Sequence, residues 1–363
     1  MRVARQKQLC FFVSFVNTAK PGKRVRCWLS RKPGHQPVRV VAPTCRPDED
    51  EEQTYLERQG QLAVERAVAA LNGRGDASSK ALAAVLQIGE ATLGARLPAL
   101  DCQPGADCQA RHKAAVLGAY QQAPQASDLV LEQARTADDP FVVRLGLMVC
   151  DLQLGAPKGC AALSPRRLVQ LDPDNAAAWL ELAARESAAA DEALFRASRA
   201  TRYESTWSLP ASRVEAALPT DMPALQRVSV IERTQNAVSA IALSPAHTAG
   251  RLCGEAAVRD ANRAQLCARV AQLLGQRGRD LADVSLGHAI TARLPGAGAA
   301  VREARDRHRA ALEWLHSEAP AEAWSCEAVE QRVRLFREMQ RSGEAAYAQR
   351  ALERSGVAVT ELL

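Results

Sequence analysis

Leu171–Glu204, LDPDNAAAWLELAARESAAADEALFRASRATRYE, is the stretch whose reading decides the fold class. Asp172-Pro173-Asp174-Asn175 is a run of turn and cap residues, and the Asn175 side chain can accept from an amide of a following first turn, so a helix is expected to begin there. Trp179, Leu182 and Ala183 then fall at i, i+3 and i+4, one apolar stripe. Ala193, Ala197 and Ala200 form a small-residue stripe on a second helix. Large residues facing small ones let two helices approach closely, so the stretch predicts a capped helical hairpin.

Working outward, Val64, Val68 and Leu71 recur at helical spacing and stop at Asn72-Gly73. Ser78 or Ser79 can start a partner helix through Leu82, Val85 and Leu86. A helix through Val116, Leu117 and Tyr120 is ended by Pro124, and Ser127 can cap another. Asp139-Pro140 and Ser164-Pro165 both place proline in a first helical turn, where its missing N–H costs nothing. From Asp139 to Asp174 is 35 residues, close to the period of a two-helix repeat. Beyond Tyr203, Trp207-Ser-Leu-Pro210 and Thr220-Asp221-Met222-Pro223 suggest a break. Further helices are expected through Val228, Ile231, Val238 and Ile241, through Leu266 to Leu274, through Leu286 and Ile290, and up to Leu315. A last pair, capped by Ser325, runs through Val329, Val333 and Phe336 and then from Tyr347 to a stop at Ser355-Gly356.

The central stretch resembles one repeat of the tetratricopeptide type, with Trp179 and Leu182-Ala183 at that family's spacing and alanines along the second helix. Its inter-helix turn is about two residues shorter than the family pattern. Glu186 stands where the family prefers an aromatic, and Ser205 near its closing proline. The resemblance implies stacked neighbours, since one repeat cannot bury its own apolar face. In its capped hairpins and paired cysteines the chain also resembles bacterial secreted helical proteins of unknown function. The expected fold is therefore all-α: stacked antiparallel helical hairpins, a tetratricopeptide-like α-solenoid over residues 47–205, and a C-terminal helical region over 206–363.

Residues 1–46 stand apart. They hold 11 of the 47 Lys+Arg and no Asp or Glu, so the other 317 residues carry 36 basic against 41 acidic side chains, a net of −5. A body of that sign argues against nucleic acid as its partner. Arg2, Arg5 and Lys7, the apolar run Leu9–Val16 and then Asn17-Thr18-Ala19 follow the order of a signal peptide. A leader, sequence upstream of the true start and a disordered basic arm are the three readings of this segment. No run approaches the ~20 apolar residues of a transmembrane helix.

Ten cysteines are many for a cytosolic helical protein. Six of the seven in the body form close pairs, Cys102/Cys108, Cys150/Cys160 and Cys253/Cys267, each expected to be a local disulfide, with Cys326 left over. In one unbroken helix Cys253 and Cys267 would stand roughly 21 Å apart. A turn near Arg259-Asp260, with Asp260 capping a new helix, brings them level. Such bonds imply an oxidising compartment, the periplasm or exterior of a bacterium; a cytoplasmic scaffold with reduced thiols is the alternative.

No constellation spells out a reaction. His247, His288, His308 and His316 lack metal-ligand spacing, Gly296-Ala-Gly298 lacks the strand and lysine of a phosphate loop, and no nucleophile elbow occurs. His288 is expected to be a core or boundary residue. Trp179, Trp314 and Trp324 are expected to be core plugs, and Arg302, Arg305, Arg307 and Arg309 to pair with Glu303 and Asp306 on a solvated face. No catalytic residue, metal or cofactor is expected. The expected function is binding a protein or peptide partner in a groove between hairpins; an enzyme site assembled in the C-terminal region is the rival.

Overall fold

In a computed structural model of the chain the described residues are 49–96, 123–151, 159–205, 209–241, 245–317 and 326–357. They form α1 (Glu49–Arg74), α2 (Ala77–Arg96), α3 (Pro124–Thr136), α4 (Pro140–Asp151), α5 (Pro165–Leu171), α6 (Ala176–Arg185), α7 (Ala190–Arg199) and α8 (Leu209–Ala217). These are followed by α9 (Ala224–Ile241), α10 (Pro245–Leu252), α11 (Ala261–Arg277), α12 (Leu281–Arg293), α13 (Ala299–Ser317), α14 (Cys326–Ser342) and α15 (Glu344–Ser355). The fold is all-α; among the described residues the one strand-like pairing is an isolated bridge between Asn175 and Arg202.

Several helix starts follow from their caps. Asp139 accepts from Phe141 N–H at 2.9 Å, Ser164 from Arg166 N–H at 3.2 Å, Asn175 from Ala177 N–H at 3.1 Å and Asp260 from Arg263 N–H at 2.8 Å. Gly356, at φ +70°, closes α15 in the left-handed conformation that suits glycine. Two starts differ from expectation. Helix α2 is capped by Asp76, not by a serine, because its carboxylate takes both the Ser79 amide, at 2.8 Å, and the Ser79 hydroxyl, at 2.7 Å. Helix α3 begins at Pro124, which leaves Ser127 buried within it.

The helices pack in sequence from α1 to α7, so that the α6–α7 hairpin lies beside α5 on one side and beside α10 and α11 on the other. Helix α9 then turns back against α1, α2 and α8 and carries α14; α14 meets α15, and α15 meets α12 and α13, which lead through α11 to α7. The helix contacts thus close into a circuit. One large core runs through α1–α9, a second lies among α6, α7, α10, α11 and α12, and a third among α12, α13 and α15.

Helix α6 is the partition between the first two cores. Leu182 and Ala183 point into the first, and Ala176, Ala177 and Leu180 into the second. A helix apolar on nearly every side belongs inside a protein. Trp179 packs against both cores. It is a half-buried boundary residue and not a plug, because its ring N–H reaches out to the Pro173 carbonyl at 2.7 Å. Small residues set the closest crossings: a Cβ on Gly287 of α12 would lie 2.6 Å from the Gly275 amide nitrogen and 2.9 Å from the Ala271 carbonyl of α11.

Cys150–Cys160 and Cys253–Cys267 are disulfides, each with Cα atoms 5.6 Å apart. The turn at 257–260 brings Cys253, just past α10, beside Cys267 in α11. Cys102, Cys108, the 116–120 helix, Trp207, Trp324 and Ser325 lie outside the described residues, as do the side chains of Trp314, His316 and Cys326. Among the described residues no helix is long and apolar enough to cross a membrane.

Candidate functional site

Three turns meet at one buried polar joint: the segment 200–205 after α7, the turn 278–281 between α11 and α12, and the turn 342–345 between α14 and α15. Gly343, at φ +85°, permits the third contact, because a Cβ there would lie 3.2 Å from the Arg279 carbonyl oxygen. The Ala345 amide donates to that carbonyl at 3.2 Å, and the Arg279 guanidinium donates to the Gln340 carbonyl.

Carboxyl groups concentrate here. The Tyr203 hydroxyl donates to Asp283 Oδ1 at 2.9 Å, the Ser205 hydroxyl to Asp280 Oδ2 at 2.6 Å, and the Leu281 amide to Glu344 Oε2 at 3.0 Å. Asp280 and Asp283 are 4% and 2% exposed. Loss of hydration penalises a buried carboxylate, and neighbouring carboxylates repel one another. Burial, followed by the charge of Asp280, holds Asp283 up to about 7. Burial likewise holds Glu344 up to about 7, with Asp280 adding to the rise and the Leu281 amide opposing it. The Tyr203 phenol is pushed well up by burial and by Asp283.

Beside these groups, His308 Nε2 of α13 sits 2.7 Å from Ser285 Oγ and 3.1 Å from the Leu281 carbonyl oxygen. A carbonyl only accepts, so a proton on Nε2 serves the Leu281 contact, whereas the other tautomer leaves Nε2 to accept from the Ser285 hydroxyl. The pair thus has the residue types of a nucleophile and base, and its two tautomers make different bonds. Burial lowers the affinity of His308 and His288 for a proton. Their centroids are 5.5 Å apart.

A second buried polar pair joins α4 to α6. Arg144 Nε lies 2.6 Å from Glu181 Oε1, with side chains 3% and 4% exposed, and Arg185 of α6 binds Asp151. Burial raises Glu181 and Asp151, against the pull of the arginines.

Of the residues singled out from sequence, the structure brings together Cys150 with Cys160, Cys253 with Cys267, and His288 with His308. His247 is exposed on α10. On α13 the expected pairing holds for Arg307 with Glu303 and for Arg305 with Asp306. Among the described residues no set of three or more His, Cys, Asp and Glu side chains is arranged to hold a metal ion. A groove of about 200 Å³ lies between α13 and α15, lined by Arg307, Gln349, Leu352, Glu353, Gly356 and Val357, and receives none of the joint's carboxyls.

Sequence reasoning missed the joint and the buried ion pair. Arg144 in PFVVRLGLMVC and Glu181 in AAAWLELAAR each carry a lone charge inside an otherwise apolar helix, and that was a readable signal, since such charges stay buried only when paired. Tyr203 and Asp283 had no such signal, being 80 residues apart. No protein-family model matches the chain, and neither a curated protein nor a solved structure matches it.

Proposed function

We propose that the chain is a non-enzymatic helical-repeat protein that binds a protein or peptide partner in an oxidising compartment, the bacterial periplasm or exterior. The observation that carries this reading is the Cys253–Cys267 disulfide, whose two residues are fully buried at the seam between α10 and α11. A bond so placed is made as the chain folds and persists where thiols are not kept reduced. The α6–α7 hairpin supports the repeat part of the reading. Its Asn175 cap, its Leu182-Ala183 stripe and its Ala193/Ala197 stripe are packed between neighbouring helices on both sides, as a tetratricopeptide-like unit in a stack requires. Cross-linking of the intact chain in envelope and cytosolic fractions of its host tests the reading. A discrete partner captured from the envelope alone is expected; capture from the cytosol alone contradicts it.

The rival reading is an enzyme in the C-terminal region, and the convergence of Ser285, His308, Asp280, Asp283 and Glu344 favours it. Its weakness is the burial of Asp280 and Asp283. Covalent labelling of Ser285 by a fluorophosphonate probe would support the enzyme.

A further inference from the structure

We propose that Cys150–Cys160 is a thiol-exchange site, opened and closed by a dithiol or a small thiol such as glutathione, and that its opening is passed to α6 through the Asp151–Arg185 ion pair. The bond joins the end of α4 to the 160–162 turn that leads into α5. Cys150 and Cys160 are both half-exposed, whereas Cys253 and Cys267 are 0% exposed. Exchange needs a thiolate brought up to a disulfide sulfur, so access separates a labile bond from a fixed one.

The chemistry balances with the thiol as its one co-reactant. The reductant's thiolate attacks one of the two cysteine sulfurs, forms a mixed disulfide with it and expels the other as a thiolate, which takes up a proton. A second thiol of the reductant attacks its own half of the mixed disulfide, releasing the second cysteine and leaving the reductant as a disulfide. Two electrons pass from the reductant to the protein, and the oxidised reductant reverses both steps. Reversal requires the two cysteines to stay close. The turn is seated independently of the bond, because Leu163 is buried in the first core and its amide donates to the Cys160 carbonyl at 3.0 Å.

Cys150 and Asp151 are the last two residues of α4. A helix end frays unless it is tied down. The ties here are the bond to Cys160 and the Asp151 carboxylate on the Arg185 guanidinium of α6, with side chains 19% and 13% exposed. With the disulfide open, each fraying of α4 takes the carboxylate away from Arg185. The guanidinium then keeps its contacts to Glu181 in its own helix, 3.5 Å to Oε2 and 3.4 Å to the carbonyl. Leu182 and Ala183, which α6 turns into the first core, lie within one turn of Arg185.

The test treats the intact, natively folded chain with reduced glutathione, maps its cysteines after alkylation and follows amide hydrogen exchange. Cys150 and Cys160 are expected as free thiols or glutathione adducts while Cys253–Cys267 stays linked, and oxidised glutathione is expected to restore the link. In the chain opened this way, peptides covering 147–151 are expected to exchange at least about tenfold faster and those covering 182–186 about three- to fivefold faster, with 263–277 in α11 unchanged. Asp151→Asn separates the route. It is expected to raise exchange at 182–186 with the bond still closed and to abolish the further rise on opening, while 147–151 still responds. The proposal is overturned by a Cys150–Cys160 bond that resists glutathione until Cys253–Cys267 also opens, by unchanged exchange at 182–186 after clean opening, or by an equal rise throughout the chain. An undiminished response of 182–186 in the folded Asp151→Asn chain overturns it as well. The first three outcomes need no variant, so a variant that fails to fold does not rescue it.

Discussion

Arg144 Nε and Glu181 Oε1 lie 2.6 Å apart between α4 and α6, with both side chains almost wholly out of water. Removing Arg144 leaves the buried Glu181 with only the longer contact to Arg185, at 3.5 Å. Arg144→Met is expected to cost about 3–5 kcal/mol, and Arg144→Met with Glu181→Leu markedly less, since the double change leaves no orphan. Urea denaturation of the two variants checks the order; a double variant less stable than the single one contradicts it.

Tyr203 ties the segment after α7 to α12 through Asp283. Tyr203→Phe keeps the ring in the second core but takes the donor from a buried carboxyl, and is expected to destabilise by about 1–3 kcal/mol. Unchanged thermal and denaturant midpoints would show that the contact is not stabilising.

Two glycines of one crossing should behave in opposite ways. Gly287→Ala drives a Cβ into the backbone of α11 and is expected to cost more than about 2 kcal/mol. Gly275 sits in α11 with open space where its Cβ would be, so Gly275→Ala is expected to stabilise by roughly 0.5–1 kcal/mol, from helix propensity alone. Melting curves of both variants test the contrast.

The two disulfides differ in access. Cys253 and Cys267 are fully buried, whereas Cys150 and Cys160 are half-exposed. Under native conditions a thiol reductant is expected to open Cys150–Cys160 first, and Cys253–Cys267 at the rate of local unfolding. Each bond should be worth roughly 2–3 kcal/mol through restriction of the unfolded chain. Timed alkylation with peptide mapping reads the order directly.

Much of the fold was legible because it is written locally. Asn175, Ser164, Asp139 and Asp260 each cap a helix from within three residues, and the Cys253/Cys267 spacing required the turn that Asp260 provides. Ser79 misled because a serine suits either the cap or the third helical position, and here Asp76 holds the cap while Ser79 donates back to it. The return of α9 onto α1 and α2 was not legible: its stripe of Val228, Ile231 and Val238 says that one face is buried, not against what. The joint was hidden for the same reason. Ser205, Asp280 and Asp283 are unremarkable polar residues until the tertiary fold buries them, and a single sequence carries no local trace of that burial.

The central claim, a stapled protein of an oxidising compartment, is tested most directly by mapping cysteine-linked peptides of the protein taken from its own host, alkylated on lysis and kept unreduced. The account predicts Cys150–Cys160 and Cys253–Cys267 as linked peptides, with Cys102–Cys108 beside them as the sequence spacing expects. Recovery of Cys253 and Cys267 as separately alkylated thiols would contradict it and turn attention to a cytoplasmic scaffold.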